Sequence, residues 1–166
     1  MITISKADIN DCPAIQSVAD ITFPATYADI LDDGQLKYMM DWMYSITNLH
    51  KQMLEEGHIY YIAWENETTP VGYVSIQQEG EHLFHLQKIY VLPDQQGKKI
   101  GQLLFKQAIQ AIKEIHPTPC TMELNVNRNN KALSFYEKMG MKKVREGDFP
   151  IGNGYYMNDY IMGMEI

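Results

Sequence analysis

Between residues 83 and 126 the hydrophobic period of this chain switches from two to 3.6 and back, and that alternation dictates the kind of fold it can reach. Leu83 to Val91 reads as a strand, and Pro93 stops it. The segment Asp94-Gln95-Gln96-Gly97-Lys98-Lys99-Ile100-Gly101 follows, polar and marked by glycine. A strongly amphipathic helix comes next. Ile100, Leu104, Ala108, Ala111 and Ile115 fall on one face, joined by Leu103 and Ile112, and Pro117 and Pro119 close it. Met122, Leu124 and Val126 then alternate as a further strand. A helix with such a stripe must bury it on a sheet, so the chain reads as a sheet with helices packed on its faces.

The flanking segments extend this plan. Ile2 and Ile4 alternate in a short first strand. Asp8 or Asp11 can cap a helix carrying Ile15, Val18, Ala19 and Thr22, which Pro24 is expected to disturb. Tyr27, Ile30 and Leu31 suit a second helical piece, and Leu36, Met39, Met40 and Met43 recur at helical spacing. Ser45 can cap a helix with Leu49, Met53 and Leu54 that Gly57 ends. Residues 58–64 and 71–77 read as strands joined by the turn Glu65-Asn66-Glu67-Thr68, and Gly80-Glu81 turns again, so an antiparallel meander is expected. Asn129 can cap a short helix with Ala132, Leu133, Tyr136 and Met139, and Gly140 occupies the place of a left-handed C-terminal cap. Residues 142–145 and 155–162 supply the last strands. The expected order is β-α-α-β-β-β-α-β-α-β-β in a single domain spanning 1–166.

Composition narrows the function classes. Fourteen Lys and Arg against 21 Asp and Glu give a net charge of −7, which repels phosphate backbones and argues against a nucleic-acid partner. It mildly favours a cationic small substrate. Two cysteines, Cys12 and Cys120, are too few for a disulfide framework or a zinc cluster and read as reduced thiols. The N-terminus lacks a signal-peptide pattern, and no apolar run approaches the roughly 20 residues of a membrane span. A soluble, cytoplasmic protein without a membrane partner is therefore expected.

A strand, a tight glycine-containing loop and a helix N-terminus together suit a phosphate. The first amides of a helix are unpaired and carry partial positive charge, and glycines let the backbone approach closely. The loop lacks the Walker spacing and the Gly-x-Gly-x-x-Gly dinucleotide pattern. Taken alone, it is also what an ordinary strand-to-helix turn looks like.

Its surroundings add more. Leu86-Gln87-Lys88-Ile89-Tyr90-Val91-Leu92-Pro93, the loop and Ile100-Gly101-Gln102-Leu103-Leu104 resemble motif A of the GCN5-related N-acetyltransferases (GNAT). The stretch from Asn129 to Met141, with Ala132 and Tyr136-Glu137-Lys138-Met139-Gly140, is similar to that family's Asn-x-x-Ala…Tyr-Glu-Lys-x-Gly-Phe segment. The resemblance spans essentially the whole chain. It implies an α/β fold (a mixed, mostly antiparallel sheet with one splayed strand pair and helices on both faces) and acetyl-CoA as co-substrate without a metal. Where the family loop reads Arg/Gln-x-x-Gly-x-Gly/Ala, Lys99 replaces the central glycine. Helix onset does not demand a left-handed backbone, so Lys99 is expected in ordinary helical geometry, its ammonium near a phosphate.

The resemblance also implies residue roles. The amides of Gln96, Gly97, Lys98, Lys99, Ile100 and Gly101 would hold the pyrophosphate, and the backbone around Ile89 and Val91 would pair with the pantetheine arm. Asn129 would cap the next helix and face that arm, while Tyr136 would point at the sulfur as proton donor. Many members carry Glu on the fourth strand where this chain has His85. An imidazole there could act as base, or His85 could line the pocket while water carries the proton. His82 and His85 face opposite sides of a strand, so no metal site is expected. The tail from Gly147 to Met162 is similar in layout to the bacterial PaiA-type polyamine acetyltransferases, which makes a small-molecule amine, best a polyamine, the expected acceptor. Asp148 and Asp159 could bind that cation or be solvated turn residues. The Met39, Met40, Met43, Trp42 and Tyr44 group could line a substrate cleft or face the core. A protein N-terminus or lysine is the rival acceptor. A non-catalytic acyl-CoA sensor is the rival outside the enzymes, opposed by the intact Tyr136 and Asn129. Homodimer pairing through an exposed final strand is also expected.

Overall fold

The computed structural model describes residues 1–166. Its strands are β1 (Ile2–Lys6), β2 (Ile59–Glu65), β3 (Thr69–Gly80), β4 (Leu83–Val91), β5 (Thr121–Asn127), β6 (Lys142–Gly152) and β7 (Tyr155–Glu165). The α-helices are α1 (Cys12–Tyr27), α2 (Asp33–Tyr44), α3 (Ile46–Leu54), α4 (Ile100–Ile115) and α5 (Leu133–Lys138). The strands form one seven-stranded sheet in the order β1-β2-β3-β4-β5-β7-β6. Only β4 and β5 run parallel. The mixed, mostly antiparallel sheet and its meander therefore follow the sequence reading.

The first third holds three helices, one more than the expected order. The α1 helix runs on through Pro24, whose carbonyl still accepts the Ala28 amide at 2.9 Å. Its apolar face buries Ile15, Val18, Ala19, Phe23 and Tyr27, and this contact holds the helix across the missing proline N–H. Ile30 and Leu31 form a turn on the Tyr27 carbonyl instead of a helical piece. Asp32 then restarts the chain as a helix by accepting the Gln35 amide at 2.7 Å.

Two cores lie on opposite faces of the sheet. The first packs α4 and α5 against Val71, Val74, Phe84, Leu86 and Met122. The buried stripe of α4 is Ile100, Leu104, Phe105, Ala108, Ala111 and Ile112. Leu103 and Ile115, expected on that stripe, are exposed, because it centres on the Leu104–Ala108–Ile112 row and Phe105 takes the flank. The second core sets α1, α2 and α3 against Tyr60, Ile62 and Tyr73. Cys12 and Cys120 are buried free thiols, one beside each core.

One bulge decides which β4 residue faces which core. Ser75 pairs with Lys88 and Ile76 with Leu86, so Gln87 is the extra residue. Phe84 and Leu86 face α4, and beyond the bulge so do Ile89 and Val91. Lys88 and Tyr90, which strict alternation would place with Leu86, cross to the second core. There the Lys88 ammonium bonds Tyr60 Oη at 2.5 Å, Gln52 Oε1 at 3.0 Å and the Met43 carbonyl at 3.2 Å. It also lies 4.3 Å from the centre of the Tyr44 ring. No carboxylate pairs with it, and burial pushes its pKa down to about 7.

At the far edge, β6 continues to Gly152, so the 147–152 stretch is strand rather than tail. The reversal falls at Asn153-Gly154, both at positive φ. The final strand is not an exposed edge: β7 lies between β5 and β6, and the free edges are β1 and β6. Pairing through the last strand, as anticipated from the sequence, is thereby excluded. No helix is long and apolar enough to cross a membrane.

The Lys88 environment has a measurable consequence. The unfolded chain keeps this proton to about its ordinary 10.5, whereas the folded chain releases it near 7. Between those values the unfolded state binds more protons, so the Lys88 contribution to stability rises with pH. Thermal melts of wild type and Lys88→Met should show the wild type gaining on the variant between about pH 7 and pH 10. A gap that stays constant with pH would contradict a destabilising buried ammonium.

Candidate active site

The parallel pair β4–β5 is short. Leu83, Phe84 and His85 pair with Thr121, Met122 and Glu123, and nothing beyond. From Leu86 to Val91 and from Leu124 to Asn127 the two strands diverge. The gap opens as a cleft of about 1010 Å³, lined by Leu86–Val91 on one wall and Leu124–Val126 on the other. Its mouth is formed by Gln95–Gly97 and Lys99–Gln102, and its far side by Asn129–Ala132, Phe135 and Tyr136.

The divergence leaves one backbone edge of β4 unpaired. The Leu92 amide bonds the Val71 carbonyl of β3 at 2.9 Å. By alternation the Ile89 and Val91 amides point the other way, into the gap. Backbone donors seek partners, so this edge is suited to an extended ligand carrying amides of its own.

The loop at the mouth is tighter than expected. Lys99 takes φ +63° and ψ +22°, a left-handed conformation, immediately before α4. The expectation of ordinary helical geometry at Lys99 is therefore wrong. The chain leaves the short 3-10 turn at Pro93–Gln95 and passes through Gly97 at φ +89°. It needs a second left-handed residue to aim α4 inward. That residue is lysine, at a cost that glycine would avoid. Gly101 lies inside the helix, where an added Cβ would sit 3.6 Å from the Phe135 ring. The start of α4, where helix amides lack partners, lies at the cleft mouth. Lys98 is not part of the lining: its ammonium bonds Gln95 at 2.9 Å and lies 3.8 Å from Glu65.

Asn129 lines the cleft but does not cap α5. Asn127 and Asn130 carry that turn instead: their side-chain oxygens accept the Asn129 and Ala132 amides at 2.9 and 2.8 Å. Gly140 takes φ +104° after α5, as its position predicted. Tyr136 is 8% exposed, lines the cleft, and has its pKa raised by burial and by the neighbouring Tyr27.

A second cavity of about 320 Å³ adjoins the first. The two share Tyr27, Gln87, Tyr90 and Asn125 in their walls. His85 lines this second cavity, not the main cleft, with Nδ1 3.1 Å from Glu79 Oε1. Burial lowers the His85 pKa, and Glu79 partly opposes that shift. Met39, Met43, Trp42, Phe23, Phe149 and Met157 make the apolar walls. The methionine group of α2 is thus both core and cavity wall: Met39 is buried, whereas Trp42 is 45% exposed. Asp148 stays outside, on the surface beside Arg128 at 3.2 Å, while Asp159 is buried in the cavity wall. No group of three or more His, Cys, Asp or Glu converges as a metal site.

The site is thus a deep slot in a split sheet, with the α4 N-terminus at its mouth and a smaller chamber adjoining it. A family profile described as an acetyltransferase (GNAT) domain matches residues 30–157. The chain belongs to the GNAT family and is an N-acetyltransferase. It is 24% identical over 144 residues to a spermidine N(1)-acetyltransferase from Thermoplasma acidophilum, covering 85% of this chain and 88% of that one. A crystal structure of PaiA N-acetyltransferase from Thermoplasma acidophilum in complex with coenzyme A superposes with a TM-score of 0.83. Identity there is 24%, over 100% of this chain and 99% of that one. The ribosomal-protein-S18-alanine N-acetyltransferase from Escherichia coli shares the fold at a TM-score of 0.72 and 20% identity, over 100% and 94% of the two chains.

Sequence reasoning missed the residues where the cavities meet, Tyr27, Gln87, Tyr90 and Asn125, and it missed Lys88. A bulge leaves no mark in a period-two pattern, so neither Lys88 nor Tyr90 could be assigned to the α1–α3 side. Glu79 is the extra residue of a second bulge, between Gln78 and Gly80.

The left-handed Lys99 supplies a prediction. Lys99→Gly should stabilise the ligand-free protein by about 1 kcal/mol, roughly 2–4 °C in Tm, and Lys99→Val should destabilise it. Equal melting temperatures for the three proteins would show that Lys99 is not held left-handed.

Proposed function

We propose that the protein transfers an acetyl group from acetyl-CoA to the primary amine of a small cationic acceptor, with a polyamine as the best fit. The unpaired edge of β4, opening on one side to the α4 N-terminus and on the other to the second cavity, carries this reading. Acetyl-CoA is a substrate here, bound and released each turnover. The loop amides from Gln96 to Gly101 suit its pyrophosphate, and the β4 edge at Ile89 and Val91 suits the two amides of its pantetheine arm. Asn129 faces the same slot.

The chemistry sets what the remaining residues must do. An alkylamine with a pKa of about 10.4 is protonated at neutral pH, and freeing it costs roughly 4.6 kcal/mol at pH 7. The His85–Glu79 pair lies in the acceptor cavity and is the group placed to take that proton, directly or through water. Glu79 keeps the imidazole oriented and offsets part of the loss of basicity caused by burial. The amine nitrogen then attacks the thioester carbonyl, and a β4 amide can stabilise the oxyanion. As the C–S bond breaks, the thiolate needs a proton. Tyr136 is the donor the cleft offers; burial raises its pKa, which keeps the hydroxyl protonated but makes transfer to the thiolate uphill.

A small acceptor fits better than a polypeptide. Tyr38 Oη bonds the Ile151 carbonyl at 3.0 Å and Gln35 Nε2 bonds the Tyr156 carbonyl at 2.8 Å. These contacts tie α2 to the β6–β7 hairpin, and both elements wall the second cavity, whose volume of about 320 Å³ suits a small amine. Following CoA thiol release across a panel of polyamines, amino acids and N-terminal peptides tests this reading. Turnover on peptides alone would overturn the small-amine assignment, and none on any amine would overturn catalysis.

The donor role is testable separately. Tyr136→Phe should lower kcat by roughly 10²–10⁴-fold while acetyl-CoA affinity barely changes, because the donor acts as charge develops on sulfur. Near-normal kcat with a lower Tm would make the hydroxyl structural.

A further inference from the structure

The second cavity has an incomplete anion in its wall. Asp159 sits on β7 opposite Asn127 and is 4% exposed. Its Oδ2 accepts the Asn125 side-chain amide at 3.3 Å. Its Oδ1 is buried and has no protein partner. Burial raises the Asp159 pKa, opposed by Asn125 and by the more distant charge of Arg128. A buried carboxylate oxygen left without a donor is costly, and the second cavity, whose wall includes Asp159, is the open space from which a donor could come.

The other carboxylates nearby do not share this property. Glu79 is engaged by His85, and Asp148 is exposed beside Arg128. The apolar part of the cavity wall, Met39, Trp42, Phe149 and Met157, suits methylene groups. Asn125, which bonds Asp159, also lines the main cleft, so an ionic head at Asp159 sits beside the place where the two cavities meet, and its alkyl chain can run into the main cleft.

The carboxylate is suited to one kind of nitrogen only. An opposite charge beside an ammonium holds its proton more tightly. That opposes attack on a thioester and suits an ammonium that does not react. We propose that Asp159 is the counter-ion for the second, non-reacting ammonium of a diamine or polyamine, and so selects acceptors with two cationic centres. This inference rests on the small-amine reading above.

Calorimetric titration of the CoA-loaded protein with 1,4-diaminobutane, spermidine and 4-amino-1-butanol tests it without requiring turnover. Steady-state acetylation of the same three compounds provides the second readout. Asp159→Asn keeps the side chain's shape and removes its charge, and Asp159→Ser serves if the first variant folds poorly; unaltered CoA binding certifies either. In the variant, Kd and KM for the two polyamines should rise roughly 10- to 100-fold, with kcat at saturation little changed. The values for the amino alcohol should stay within about twofold, since it lacks the second charge. Equal losses on all three compounds, unchanged polyamine binding, or a wild-type protein that binds no polyamine would each overturn the proposal. Asp159-dependent binding of a polyamine that is never acetylated would uphold the anchor and overturn the acceptor assignment instead.

Discussion

Three residue pairs hold β4 to β5, and the site exists because there are only three. Each strand is committed more fully to its other neighbour. The β5 strand pairs with β7 from Thr121 to Asn127, and β4 pairs with β3 almost along its length. The Gln87 bulge bends β4 away just after its last contact with β5. A sheet that parts in this way exposes backbone donors inside the protein. That arrangement is stable only if water or a ligand satisfies them. The fold therefore sets an unpaired backbone edge along the cleft.

The two cores give the slot its distinct ends. On one face, α4 docks through Leu104, Ala108 and Ile112, and its N-terminus is held at the mouth by two left-handed residues, Gly97 and Lys99. On the other face, α1 to α3 close over an unusually polar interior. Tyr73 donates to Tyr44 at 2.6 Å, and Lys88 bonds Tyr60, Gln52 and the Met43 carbonyl. That carbonyl belongs to α2, whose Met39, Trp42 and Met43 wall the second cavity. Lys88 thus ties the cavity wall to the central sheet, at the cost of burying an amine.

Much of this was legible in the residues. The amphipathic stripe of α4, the alternation of Met122, Leu124 and Val126, and the turn at Asn66-Glu67 each follow from local chemistry, and each forms. Motif-level likeness located the loop and the Tyr136 helix. What escaped was set by pairing between distant segments. The bulge that turns Lys88 and Tyr90 toward α1 arises from the register of β3 against β4. The burial of β7 depends on β6 extending to Gly152, and the continuity of α1 through Pro24 depends on packing that no local rule contains. Lys99 was misjudged because its backbone angle is imposed by the turn before it. Asn129 was misjudged because Asn127 and Asn130 compete for the same capping work.

Residue-resolved amide exchange, with and without coenzyme A, tests the central claim most directly. The account predicts that the ligand slows exchange at Ile89 and Val91, the amides that face the split. It predicts little change at Leu92, which already bonds Val71. Unchanged exchange at Ile89 and Val91 in protein that demonstrably holds coenzyme A would contradict it. The ligand would then lie elsewhere, and the parting of β4 from β5 would not be the binding site.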